Sequence, residues 1–87
     1  MKPMTQDEIL SGIIRFGHQW TDAEKWVLKV QCDRSGDFEM ALWNCFALAD
    51  EANFAQLSLG FPDQAVAFLA WRHGDLADRF RDAGIEI

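Results

Sequence analysis

Between Met40 and Ala49 the chain has ten consecutive residues with a single polar side chain, Asn44. A surface helix carries an apolar stripe and a polar face; a helix that is apolar all round has to be covered on every side. In a chain of 87 residues, that cover comes from the rest of the protein or from a partner. The run therefore constrains the fold to an all-α domain of four to six short helices packed around a central buried helix at about 38–49. The flanking segments supply candidate covers: Ile9–Ile14, Trp26–Val30, Phe54–Leu57 and Val66–Trp71. Together they suffice to bury the run within a monomer. Asn44 then becomes the sharper question. Buried, its amide needs hydrogen-bond partners, since an unpaired one costs about 1–3 kcal/mol. Exposed, it marks the window through which this helix meets solvent or a partner.

Local signals place the other helices. Thr5-Gln6-Asp7-Glu8 and Thr21-Asp22-Ala23-Glu24 are capping boxes, in which the threonine and the glutamate each satisfy a backbone N–H at a helix start. Ile9, Leu10, Ile13 and Ile14 share one face of the first helix, and Gly17 closes it. The next segment fits two templates. Ala23, Trp26, Val27 and Val30 follow helical spacing, whereas Trp26, Leu28, Val30 and Cys32 alternate as in a strand. The capping box favours the helix. The rival is a small β-hairpin over 26–42, turning at Asp33-Arg34-Ser35-Gly36. Ser35-Gly36-Asp37 reads as a turn and cap before the apolar run. Asp50-Glu51 either continues that helix or breaks it. Asn53–Leu59 reads as a further helix with Phe54, Leu57 and Ala55 inward. Gly60-Phe61-Pro62 is a stop and restart, with Gly60 as a left-handed cap and Pro62 in the first turn of a helix that places Val66, Leu69 and Ala70 on its apolar side. Gly74 closes that helix, Asp75 caps a last one with Leu76 and Phe80 inward, and Gly84 ends it. Residues 1–87 form one domain, because a chain this short has no room for a second core.

Charge is distributed unevenly. The net charge is −6, and no Lys or Arg lies between Arg34 and Arg72, a stretch that carries Asp37, Glu39, Asp50, Glu51 and Asp63. An acidic chain is ill suited to neutralise phosphates, so direct nucleic-acid binding is disfavoured. The acidic stretch is either ordinary solvated surface or a negative patch that meets a basic partner. No apolar stretch reaches the roughly 20 residues that span a bilayer. Two cysteines and no signal-peptide pattern point to a reduced, cytoplasmic setting.

Chemical constellations are weak. Cys32, Cys45, His18 and His73 stand more than ten residues apart, without the close pairing of structural zinc ligands. No glycine-rich phosphate loop and no nucleophile elbow is present. No catalytic residue, metal site or cofactor is expected. Leu57–Gly74 loosely resembles a helix-turn-helix, yet its second helix would offer DNA Asp63 and Gln64, then apolar side chains, before the first cation at Arg72. Trp71 and Arg72 are of the types enriched at interface hot spots, and Trp20 is a further candidate anchor unless the four tryptophans cluster in the core.

The segments Ala41-Leu42-Trp43, Ala47-Leu48-Ala49-Asp50, Asn53, Leu57, Gly60-Phe61-Pro62 and Val66–Trp71 contain the pattern A-D-x-x-N-x-x-x-L-x-x-G-F-P before a helix. Over about residues 38–71 the chain resembles small phage and prophage proteins with that pattern. The resemblance implies a mobile-element origin and a role in binding host machinery, as anti-CRISPR proteins do. The expected function is a non-enzymatic protein–protein interaction module that modulates a host nucleic-acid-handling complex. Its partner would be a host protein with a basic surface, met by Asp50, Glu51, Asp63 and Gln64, with Trp71 and Arg72 as anchors. The alternatives are a helix-turn-helix DNA-binding regulator and a self-assembling phage component that uses its apolar surplus as a homodimer interface.

Overall fold

Both capping boxes form. In the computed structural model, which describes residues 4–87, the Thr5 hydroxyl accepts from Glu8 N–H at 3.2 Å and opens α1 (Gln6–Phe16). Thr21 accepts from Glu24 N–H at 3.1 Å and opens α2 (Asp22–Gln31), while the Glu24 carboxylate accepts from Thr21 N–H at 2.9 Å. Beyond them in the chain lie α3 (Asp37–Leu48), α4 (Glu51–Gly60), α5 (Pro62–Arg72) and α6 (Asp75–Asp82). The described residues contain six helices and no strand. The hairpin alternative over 26–42 is overturned, because those residues are the body of α2, a short turn and the start of α3.

Asp50 separates α3 from α4. Its side chain accepts from Asn53 N–H at 2.8 Å, so it caps α4 and ends the apolar run. Gly60 remains helical, and the left-handed cap expected there is absent; Phe61, with φ of −135°, joins α4 to α5. The left-handed glycines are Gly74 and Gly84, with φ of 89° and 96°. Gly74, not Asp75, is the N-cap of α6. At Gly17 a Cβ would sit 2.6 Å from the Ile13 carbonyl oxygen and 2.9 Å from the Trp20 ring, so only glycine lets the chain turn this tightly onto α1.

The core gathers on α2, which buries Ala23, Trp26, Val27, Leu28 and Val30, and on α5, which buries Ala65, Ala67 and Phe68. An aromatic cluster ties α2–α5 together. Phe46 stacks on Phe68 at 5.5 Å and meets Trp26 and Phe54 edge-on, and Trp43 reaches both Trp26 and Phe68. Such pairs add about 0.5–1.5 kcal/mol each beyond the area they bury. A second cluster sets Trp20 and Trp71 against Phe80. Trp20 is only 7 % exposed, so it is a core residue and not a free anchor. At the far end the Gln6 amide donates to Gly84 O at 2.7 Å and accepts from Glu86 N–H at 2.8 Å, which clamps the C-terminal segment and its buried Ile85 against α1.

The central position belongs to α2, not to the segment 38–49. Of the apolar run, only Leu42 and Phe46 are buried. Residues Ala41, Asn44, Cys45, Ala47 and Leu48 are exposed, and α4 buries no residue at all. Ala55 and Val66, expected inward, point to solvent. The candidate covers pack elsewhere: α1 and α5 pack on α2, α4 packs on α5, and one side of α3 is left exposed.

Candidate interaction surface

Helix α3 has two apolar faces. One carries Leu42 and Phe46 with the half-buried Trp43 and packs on the core. It is fixed at its start, where the Trp26 indole N–H donates to Glu39 O at 2.9 Å and Lys29 pairs with the Glu39 carboxylate. That carboxylate also accepts from Gly36 N–H at 2.9 Å. Burial pushes the Glu39 carboxyl up, but the Gly36 N–H and the Lys29 cation outweigh it and hold it below the usual 4.5.

The other face carries Phe38, Ala41, Cys45 and Leu48 at steps of three, four and three residues. All four are exposed, Phe38 by 67 % and Leu48 by 86 %. This is the spacing at which one helix lays a seam on another. From Ala49 the helices α3 and α4 diverge and leave a cleft of about 540 Å³ lined by Cys45, Leu48, Ala49, Asn53, Gln56, Leu57, Gly60 and Phe61. No lining residue is charged. The Phe38 ring stands 6.4 Å from Phe61, so the seam runs into the cleft without a gap. Leu59 of α4, 86 % exposed, and Val66 of α5, also exposed, do not line the cleft.

Along the chain the charge here is of one sign, although in space Lys25 and Lys29 line a crevice with Phe38, and Arg72 lines one with Ala49, Asp50 and Glu51. Residues 35–71 hold five acidic and no basic side chains, whereas residues 1–34 hold five of each. Glu39 is neutralised by Lys29, while Asp37, Asp50, Glu51 and Asp63 make no ion pair among the described residues. Neither α3 nor α4 has a basic residue in its last turn, though Arg72 of α5 lines a crevice with Ala49, the C-cap of α3.

The residues singled out from the sequence fall into three places. Asp50, Glu51 and Arg72 share a crevice with Ala49, Phe54, Ala55 and Leu69 on the other side of α4 from the cleft. Asp63 is exposed in the first turn of α5, whereas Gln64 lines a separate crevice with Lys25, Lys29 and Phe38. Trp71 is half-buried against Phe80, and Arg72 lies over the Phe68 ring, 5.1 Å from its centroid. What sequence reasoning missed is the cleft itself: Phe38, Cys45, Leu48, Gln56 and Phe61. The available signal was a second seam within the apolar run, at 38, 41, 45 and 48, beside the one at 42 and 46. Among the described residues, no group of three or more His, Cys, Asp or Glu side chains could hold a metal ion. Burial pushes the Cys32 thiol up, with Arg34 opposing in part, which disfavours the thiolate that a nucleophile requires. No helix among the described residues is long and apolar enough to cross a membrane.

No protein-family model, no curated protein and no solved structure matches this chain.

Proposed function

We propose that this chain is a non-enzymatic protein–protein interaction module, of phage or prophage origin, that binds a host nucleic-acid-handling complex and inhibits or modulates it in the manner of an anti-CRISPR protein. One observation carries the interaction role: an exposed apolar strip, Phe38–Ala41–Cys45–Leu48, opens into an uncharged cleft within a stretch of chain, residues 35–71, that carries acidic and no basic side chains. Contiguous exposed apolar surface with a polar rim marks interaction sites in soluble proteins. The acidic stretch favours a basic partner and speeds encounter with it. The mobile-element origin and the class of host target rest on the A-D-x-x-N-x-x-x-L-x-x-G-F-P resemblance.

A DNA-binding regulator is less well supported. The outward face of α5 offers Pro62, Asp63 and Val66 before Arg72, where a recognition helix needs polar and basic groups at its start.

The test is affinity capture from bacterial host cells, comparing the wild type with Leu48→Glu and with a triple reversal of Asp50, Glu51 and Asp63 to Lys. Capture of a basic nucleic-acid-handling complex by the wild type, and its loss in both variants with helicity unchanged by circular dichroism, is the expected result. Equal capture by all three proteins sinks the interaction face. Salt-sensitive binding to duplex DNA would instead favour the regulator.

A further inference from the structure

We infer that the crevice where α1, α2, α3 and α5 meet binds a free α-amino acid with a large apolar side chain, its ammonium on Asp22, its carboxylate on Lys25 and Gln64, and its side chain on the apolar floor. The crevice shares no lining residue with the α3–α4 cleft, and its occupancy is independent of the interaction reading above.

The floor sets the apolar half of the ligand. The crevice holds about 310 Å³, at the small end of ligand cavities. Its apolar lining is Ile14 from α1, Trp26 from α2, and Phe38 and Leu42 from α3. Trp26 and Leu42 are only 4 % and 7 % exposed and yet line it, so they form the floor, whereas Phe38, 67 % exposed, stands as a wall. The Trp26 indole N–H already donates to Glu39 O, so this ring offers a ligand only apolar surface. Trp26 and Phe38 favour an aromatic side chain over an aliphatic one, because ring pairs gain beyond the area they bury.

The rim sets the polar half. Asp22, Lys25, Lys29 and Glu39 line the crevice, two of each sign. Lys29 and Glu39 neutralise each other. Asp22 and Lys25 do not: they stand three residues apart on α2, where opposite charges are neighbours, yet neither makes an ion pair among the described residues. Gln64, half-buried on α5, lines the same crevice, and its side-chain amide makes no hydrogen bond among the described residues. One carboxylate, one ammonium and one amide are thus left unpartnered around an apolar floor. An anion there would meet Asp22 and Glu39, and a cation would meet Lys25 and Lys29. A ligand that carries both charges a few bonds apart pairs with Asp22 and Lys25 at once and leaves the crevice neutral. The Gln64 amide can donate to the same carboxylate. A free amino acid is ionised at both ends near about pH 7, whereas a residue within a peptide has neither charge.

The test is titration of the isotopically labelled full chain with L-phenylalanine, followed by NMR. The Gln64 side-chain amide and the Trp26 indole N–H report on this crevice, and the Asn53 and Gln56 side-chain amides report on the α3–α4 cleft. Saturable shifts at Gln64 and Trp26, with none at Asn53 and Gln56, are expected. N-acetylphenylalanine lacks the ammonium, phenylalaninamide lacks the carboxylate and glycine lacks the side chain, and each should bind at least tenfold more weakly. Asp22→Asn and Lys25→Met should weaken L-phenylalanine binding to the same degree. Absence of saturable shifts at Gln64 and Trp26 up to millimolar ligand overturns the inference, as do shifts confined to Asn53 and Gln56. Equal binding of N-acetylphenylalanine or of phenylalaninamide overturns it too, and because the analogues are compared on the wild type, that outcome does not depend on how either variant folds.

Discussion

Helices α2 and α3 are close in length and opposite in fate. The first is rich in charge, with Asp22, Glu24, Lys25 and Lys29, yet it buries five of its ten residues. The second is almost wholly apolar, yet it buries two of twelve. Composition alone would have reversed them. What α2 has is enclosure: α1, α3 and α5 all pack on it, and the charges that fall near its buried residues are paired, Glu24 with Arg79 and Lys29 with Glu39. What α3 has is redundancy, two apolar seams where a domain of this size can cover one. Burial goes first to the helix whose apolar side can be enclosed by several neighbours, because each such side chain then loses most of its contact with water.

The sharpest way to break this comparison is to truncate each face of α3 in turn. Phe46→Ala should cost about 3–5 kcal/mol, read as a fall in the urea midpoint, because it empties the centre of the Trp26–Phe54–Phe68 cluster. A loss below about 1 kcal/mol would mean that this cluster does not hold α3.

Acid should act next, on the starts of both helices. Burial pushes Glu24 up, but the Thr21 N–H and Arg79 outweigh it and leave its carboxyl below the usual 4.5, as the Gly36 N–H and Lys29 do for Glu39. Carboxylates with lowered folded-state values contribute stability that is present above about pH 4.5 and is lost as pH falls through those values. Urea midpoints measured from about pH 6 downward should therefore decline below about pH 4.5. Glu24→Gln and Glu39→Gln should each flatten that decline.

Thr21→Ala removes the cap of α2 and should cost about 1 kcal/mol. Because the threonine also holds Glu24 in place, part of the acid sensitivity should vanish with it. An additive effect of the two changes would show that cap and carboxylate act separately.

The smallest effect on stability belongs to the outer seam. Leu48→Glu should change the unfolding free energy by no more than about 0.5 kcal/mol, as expected for a surface position without special contacts, while partner binding is lost. A large destabilisation would place Leu48 in the core and dissolve the distinction between the two faces.

Much of the architecture was legible from short-range chemistry. Thr5 with Glu8 and Thr21 with Glu24 announce two helix starts, and Pro62 announces a third. Leu76 and Phe80 fall inward in α6, as their spacing requires. Each of these signals lies within one or two turns of chain, where backbone geometry and hydrogen bonding are local. The acidic middle stretch was equally legible, as was the alternative for Asn44: it is exposed and lies on the open side of α3.

Other features depended on which segments compete for the same cover. The apolar run gave no sign of which half would be enclosed, since both seams satisfy helical spacing. Trp20 and Trp71 look alike as candidate anchors, and the packing of α5 and α6 puts both rings against Phe80. The sequence by itself determined that the chain is helical, where most of its helices start and stop, and that its middle third carries acid without base. Only the tertiary structure decided that α2 takes the centre and that the outer seam of α3 opens with α4 into a cleft. Burial is a property of the whole assembly: six short helices enclose limited volume, and the helix left at its edge keeps an apolar face for something else to cover.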